Sequence, residues 1–283
     1  MDDALVMVTS AAIDENIGAP ERPIDEGRAW FMLGAYQVLW GRLVVSTFRE
    51  EFMDVKYFAD LRTNFIRMYY REGCKPFIAI QRAIDEKMPP FDEPLSEYDI
   101  ESGEPPHLVE WLEAEMALNI LGYSCLSMLS NSLKIAFMNF EREFKFKPSA
   151  EAKKTLFKQG FVTGYKGVLS EILDTDWSDC PADLAIIEQV VLARNITQHM
   201  DDYSGFDAYY DESTIRKHPR LFFVGGDKEE LDPEDPSSWF SRRVDVTETD
   251  LFRAIGEVEK LVEYIACRED KAFEWRMGRR NES

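Results

Sequence analysis

The chain has little with which to build a metal centre or a disulfide frame. Its four cysteines, Cys74, Cys125, Cys180 and Cys267, lie far apart and form no CxxC pair. That pattern fits reduced thiols of a cytoplasmic protein better than staples or a zinc site. Three histidines, His107, His199 and His218, are too few and too scattered for a His-rich metal site. The acidic stretches 85–104 and 227–236 lack the alternating spacing and central glycine of a calcium loop and read as solvated loops. No GK[ST] follows Gly225-Gly226, so that pair reads as a turn and not as a phosphate cradle. Neither a cofactor nor a metal is expected.

Basic charge is also scarce. Lys and Arg number 33 against 53 Asp and Glu, for a formal net charge of −20. Such a chain repels nucleic-acid phosphate and anionic lipid at long range, which excludes generic nucleic-acid coating but not a small local site. No basic n-region opens the sequence, so the N-terminus does not read as a signal peptide. The one long apolar stretch, from Met116 to Phe140, contains Asn119, Ser124, Ser127, Ser130, Asn131, Ser132 and Lys134. Those groups are costly in lipid and acceptable in a helix buried among helices, so no membrane role is expected.

What is present is helical periodicity. Residues 1–26 mix Gly, Pro and acids without period and read as a flexible arm. Residues 27–100 form an N-terminal helical region and linker. Trp30, Phe31, Leu33, Val38 and Leu39 give way to Leu61, Phe65, Met68 and Tyr69 as packing residues. The Pro- and acid-rich segment 89–106 is the best boundary. Residues 101–270 then read as the main domain. A long helix runs from about Pro106 to Phe146, and a second, capped by Ser149, from Ala150 to about Leu173. A third starts near Ser178 or Cys180 ahead of Pro181 and reaches Arg194, Asn195 and His199. A fourth opens at Thr247, where Asp250 makes a capping box with Asp in place of Glu, and runs through Ile265. Between them, residues 206–246 form an insertion in which 220–226 and 239–246 have the content of two short strands, a small hairpin. The tail 271–283, with Arg276, Arg279 and Arg280, is the one basic patch in linear sequence.

The residues best suited to chemistry are Arg194, Asn195 and His199. Asn195 and His199 are four apart and share a helix face, while Arg194 sits about 140° round from His199, within reach of a long side chain near a helix end. An imidazole exchanges protons near neutral pH, and a guanidinium binds phosphate through two parallel hydrogen bonds. Together they supply what metal-independent RNA cleavage requires: proton transfer at the ribose 2′-hydroxyl and stabilisation of a pentacoordinate phosphorane. The string VVLARNITQHMDD resembles the Arg-(x)4–6-His motif of the HEPN superfamily, in which a polar residue, often Asn, follows the Arg. The order of helices from about Pro106 to Glu269 is also similar.

The resemblance implies an all-α, HEPN-like bundle with an N-terminal helical extension, and a homodimer in which two motifs face one cleft. It implies an endoribonuclease needing no metal and leaving a 2′,3′-cyclic phosphate, in a defence or toxin–antitoxin setting. Arg194, Asn195 and His199 would be its catalytic residues. Asp201 and Asp202 stand directly after the motif, and they favour the imidazolium form of His199, which suits a general acid. The competing reading pairs Arg194 with one of these aspartates and uses His199 as a helix cap. The protein is then a catalytically silent helical scaffold for a protein partner. Glu113, Glu115 and Glu188 are further acids able to reach the motif, although helix-surface glutamates are ordinarily solvated. His107 and His218 read as loop positions beside prolines. The serines of the long helix read as close-contact positions.

Overall fold

The computed structural model describes residues 54–92, 103–198, 207–218, 220–225 and 243–281. All fall in one compact unit, Met53–Ser283. The arm 1–26 and the apolar residues from Trp30 to Leu39 lie outside the described residues, as do His199, Asp201 and Asp202.

Eight helices make up the described part: α1 (Val55–Asp85), α2 (Leu108–Glu143), α3 (Ala150–Thr155), α4 (Phe161–Ile172), α5 (Leu184–Gln198), α6 (Glu212–Lys217), α7 (Glu248–Ala266) and α8 (Glu269–Asn281). The mainly helical class expected from the periodicity holds. No described helix is long and apolar enough to cross a membrane. The four cysteines are unpaired thiols.

Helix α2 is the axis of the bundle and packs against α1, α5 and α7. It buries residues on most of its circumference, among them Leu121, Cys125, Leu126, Leu129, Leu133, Phe137 and Phe140, which is why its sequence lacks a charged face. Helix α7 is amphipathic in the ordinary way. Leu251, Ala254, Ile255, Val258, Leu261, Val262 and Ile265 recur at helical spacing and are all buried. Each such aliphatic side chain contributes about 1.5–3 kcal/mol when fully buried.

Helix α1 turns the other way from the expectation. Its inward face is Ala59, Thr63, Ile66, Tyr70 and Cys74, whereas Leu61, Phe65, Met68 and Tyr69 are exposed. The inward residues recur at the i, i+3, i+4 spacing of one helix face, and small side chains among them let α1 lie close to α2 and α7. Two polar ties hold it there. Arg67 donates to both carboxylate oxygens of Glu259, with Nη2 to Oε2 at 2.8 Å, and the Tyr70 hydroxyl donates to the carbonyl of Val246 at 3.0 Å.

Two helix starts match the caps legible in sequence. The amide of Ala152 donates to Ser149 Oγ at 3.0 Å, and that of Asp250 to Thr247 Oγ1 at 3.1 Å. The single helix expected over 150–173 is instead two, broken at 156–160. Leu156 and Phe157 fold back onto α4, where Gly164 and Gly167 leave room for them. A Cβ at Gly164 would stand 2.5 Å from the Phe157 ring.

Of the expected hairpin, residues 226–242 lie outside the described residues. Among the described residues, 243–246 pairs only through isolated antiparallel bridges, Tyr209 with Arg243 and Val224 with Val244. Val244 donates to Ala208 on one side while Asp245 donates to Phe223 on the other. Phe223 and Val224 are buried plugs in the core, so the β-branched and aromatic content of this segment serves burial and not an extended ladder.

Candidate cationic cleft

Helix α5 begins later than Pro181 suggests. Asp183 caps it, its Oδ1 accepting from the amides of Ala185 and Ile186 at 3.0 and 3.3 Å. The Asp183 amide is itself taken by Glu257 of α7, at 2.7 Å. From that start Ile186, Ile187, Val190 and Ala193 face the core, and the rotation they impose turns Glu188, Val191, Leu192, Arg194 and Asn195 towards an open cleft of about 610 Å³. Arg194 is half-buried and Asn195 exposed, and Arg194 Nη1 donates to Asn195 Oδ1 at 3.0 Å. The structure thus brings two of the three motif residues together on one surface. Helix α5 is described as far as Gln198, whose side chain donates to Ser127 of α2 at 3.4 Å, and His199 follows it in sequence.

The other walls of the cleft come from distant parts of the chain. Ser130, Asn131 and Lys134 belong to α2, 157–160 to the α3–α4 connection, and Thr214 and Lys217 to α6, with His218 at its end. Among the described residues, four cationic ones, Lys134, Lys158, Arg194 and Lys217, line the cleft together with one carboxylate, Glu188. This reverses the balance of the whole chain. His218, half-buried and just past the end of α6, lines the same cleft as Arg194.

Glu188 is neither solvated nor orienting Arg194. Its carboxylate crosses to α4 and accepts from the amides of Phe161 and Val162 at 2.9 Å each, and of Thr163 at 3.3 Å. These are the orphan donors of a helix start. Gly160 stands where a Ser or Asp cap would ordinarily be, with φ +149°. A Cβ there would come within 2.7 Å of the Glu188 carboxylate. Glycine is therefore required for the acid to approach from outside.

Glu115 is also engaged elsewhere, pairing with Arg243 at 3.0 Å, while Glu113 is exposed. His107 precedes α2 in the left-handed region, its ring edge-on to Phe91. Among the described residues no three His, Cys, Asp or Glu side chains gather as a metal site.

Sequence reasoning missed Lys134, Lys158, Lys217 and His218. No linear motif joins them, and the cleft exists only once α2, α5 and α6 are assembled. Compared with family models, with curated proteins and with solved structures, the chain shows no significant match.

Proposed function

We propose that the protein is a metal-independent endoribonuclease of HEPN type, with Arg194, Asn195 and His199 as its catalytic residues. The observation that carries this reading is the position of Arg194 and Asn195. They lie on an open, cation-lined cleft in a chain that is otherwise strongly acidic. A guanidinium there can clamp a phosphodiester and stabilise the phosphorane formed from it.

In the reaction a base accepts the proton of the ribose 2′-hydroxyl, and the 2′-oxygen bonds to phosphorus. The P–O5′ bond breaks, and an acid delivers a proton to the departing 5′-oxygen. The products are a 2′,3′-cyclic phosphate and a 5′-hydroxyl. His199 is one proton-transfer group and Asn195 positions Arg194, to which it is already hydrogen-bonded. The second proton-transfer group comes from the motif of a second copy, so the active species is a homodimer. A defence or toxin–antitoxin setting, with an antitoxin as protein partner, belongs to the same proposal.

Cleavage of tRNA, rRNA and mRNA by purified protein in the presence of EDTA tests the activity, with Arg194→Ala and His199→Ala as variants. Both are expected to lose cleavage by at least about a hundredfold, the usual scale of acid–base and oxyanion contributions, with melting unchanged. An inactive wild type would favour the silent scaffold. Monomers in sedimentation would remove the second proton-transfer group.

A further inference from the structure

The cleft around Arg194 is larger than one phosphate needs, and its remaining cations have no role in the catalytic proposal. We infer that Lys134, Lys158 and Lys217 form a phosphate-binding subsite for the strand on which Arg194 acts. The identity of the ligand as RNA rests on the endoribonuclease reading; the anion site rests on the geometry alone.

Three observations converge. The first is charge. Acids outnumber bases 53 to 33 over the chain, yet among the described residues four cations and one carboxylate line the cleft. Glu188 has both oxygens committed to the amides of α4, and the positive end of that helix offsets part of its charge. At an ionic strength near 0.1 M, charges beyond roughly 10 Å are screened. A phosphate in the cleft therefore feels these lysines more strongly than the acidic surface at large.

The second is origin. Lys134 lies on α2, Lys158 in the α3–α4 connection and Lys217 at the end of α6, so three separate elements each contribute a lysine to the lining of one cavity. All three are exposed, and none makes an ion pair among the described residues.

The third is size and lining. About 610 Å³ accommodates a nucleotide-sized group. Ser130, Asn131, Gln159 and Thr214 add neutral hydrogen-bonding groups between the cations, as a sugar–phosphate chain requires.

The test measures binding of a fluorescent 2′-O-methyl uridine oligonucleotide, whose blocked 2′-oxygen prevents cleavage, across a range of salt concentrations. For single strands, the slope of log K against log salt changes by about 0.7 for each phosphate contact. The variant Lys134→Gln, Lys158→Gln, Lys217→Gln is expected to flatten the slope by about 2 and to weaken binding at least about tenfold near physiological salt. A control, Lys75→Gln, Lys87→Gln, Lys271→Gln, makes the same change in net charge outside the cleft and is expected to leave the slope as it was. Equal effects of the two triple variants would overturn the subsite, and so would a wild type that binds neither the oligonucleotide nor ATP. Lysine-dependent binding of ATP without binding of the oligonucleotide would overturn the assignment to a strand. Lysine-dependent binding without cleavage of natural RNA would uphold the subsite and sink the nuclease reading. Cleavage that needs Arg194 and His199, with binding unchanged in the cleft variant, would sink the subsite alone.

Discussion

Replacing Glu188 separates two effects of one carboxylate, and they have opposite signs. In Glu188→Gln the amides of Phe161, Val162 and Thr163 lose a charged acceptor, and one of the two oxygens becomes a donor facing donors. Loss of a cap costs about 1 kcal/mol. Removing a negative charge from a helix start costs up to about 1 kcal/mol more in a half-buried setting. The expected destabilisation is about 2 kcal/mol, a fall in melting temperature of about 4–8 °C for a domain of this size. At the same time the cleft loses the one carboxylate that lines it among the described residues, so the uridine oligonucleotide binds more tightly. Thermal melting and fluorescence anisotropy on one preparation read both quantities. A melting temperature within about 1 °C of wild type would show that α4 does not depend on Glu188. Weaker oligonucleotide binding by a folded variant would refute the electrostatic account of the cleft. Gly160→Ala supplies the cross-check. It strains the backbone and drives a methyl group towards the carboxylate, so combined with Glu188→Ala its cost is less than the sum of the two.

Glu257 and Glu259 predict an acid limit to stability. Burial pushes both carboxyls upward, but Lys260 and the Asp183 amide outweigh it at Glu257, and Arg67 and Thr63 at Glu259, leaving both below the usual carboxylate range. Their contribution is full above the unfolded value of about 4.3 and is lost as pH falls through the lower folded values. The urea midpoint of the wild type should drop as pH falls below about 4.3, while Glu259→Gln starts lower at neutral pH and falls less. Parallel profiles would contradict this. Gly122→Ala should cost about 1–3 kcal/mol despite its better helix propensity, because the new Cβ would stand 2.7 Å from Val246 Cβ. Val246→Ala in the same chain should recover part of that loss in urea unfolding.

The helical class, the length of α2 and the caps at Ser149 and Thr247 are legible in sequence because each is set by neighbours within a few residues. The inward face of α1 is not. Leu61, Phe65 and Met68 satisfy the same periodicity as Ile66 and Tyr70, and only packing against α2 and α7 decides between the two faces. The break in α3–α4 is hidden for a related reason. Its start carries no local cap, and the acid that supplies one lies more than twenty residues later. Arg194 and Asn195 stand out as neighbours in a motif. The lysines around them belong to the same cleft only through tertiary structure, so the tail alone looks basic along the chain.

The two carboxylates that reach across to a neighbour's first turn also couple the opening of three helices. Glu257 on α7 holds the residue that caps α5, and Glu188 on α5 holds the start of α4. The dependence runs one way along this series. Fraying of α4 leaves α5 intact, whereas opening of α5 releases α4 and takes the floor of the cleft with it. Amide exchange should therefore be graded, slowest in α7 and fastest in the first turn of α4. On that grading, the part of the cleft formed by the start of α4 should exchange fastest of the three helix starts.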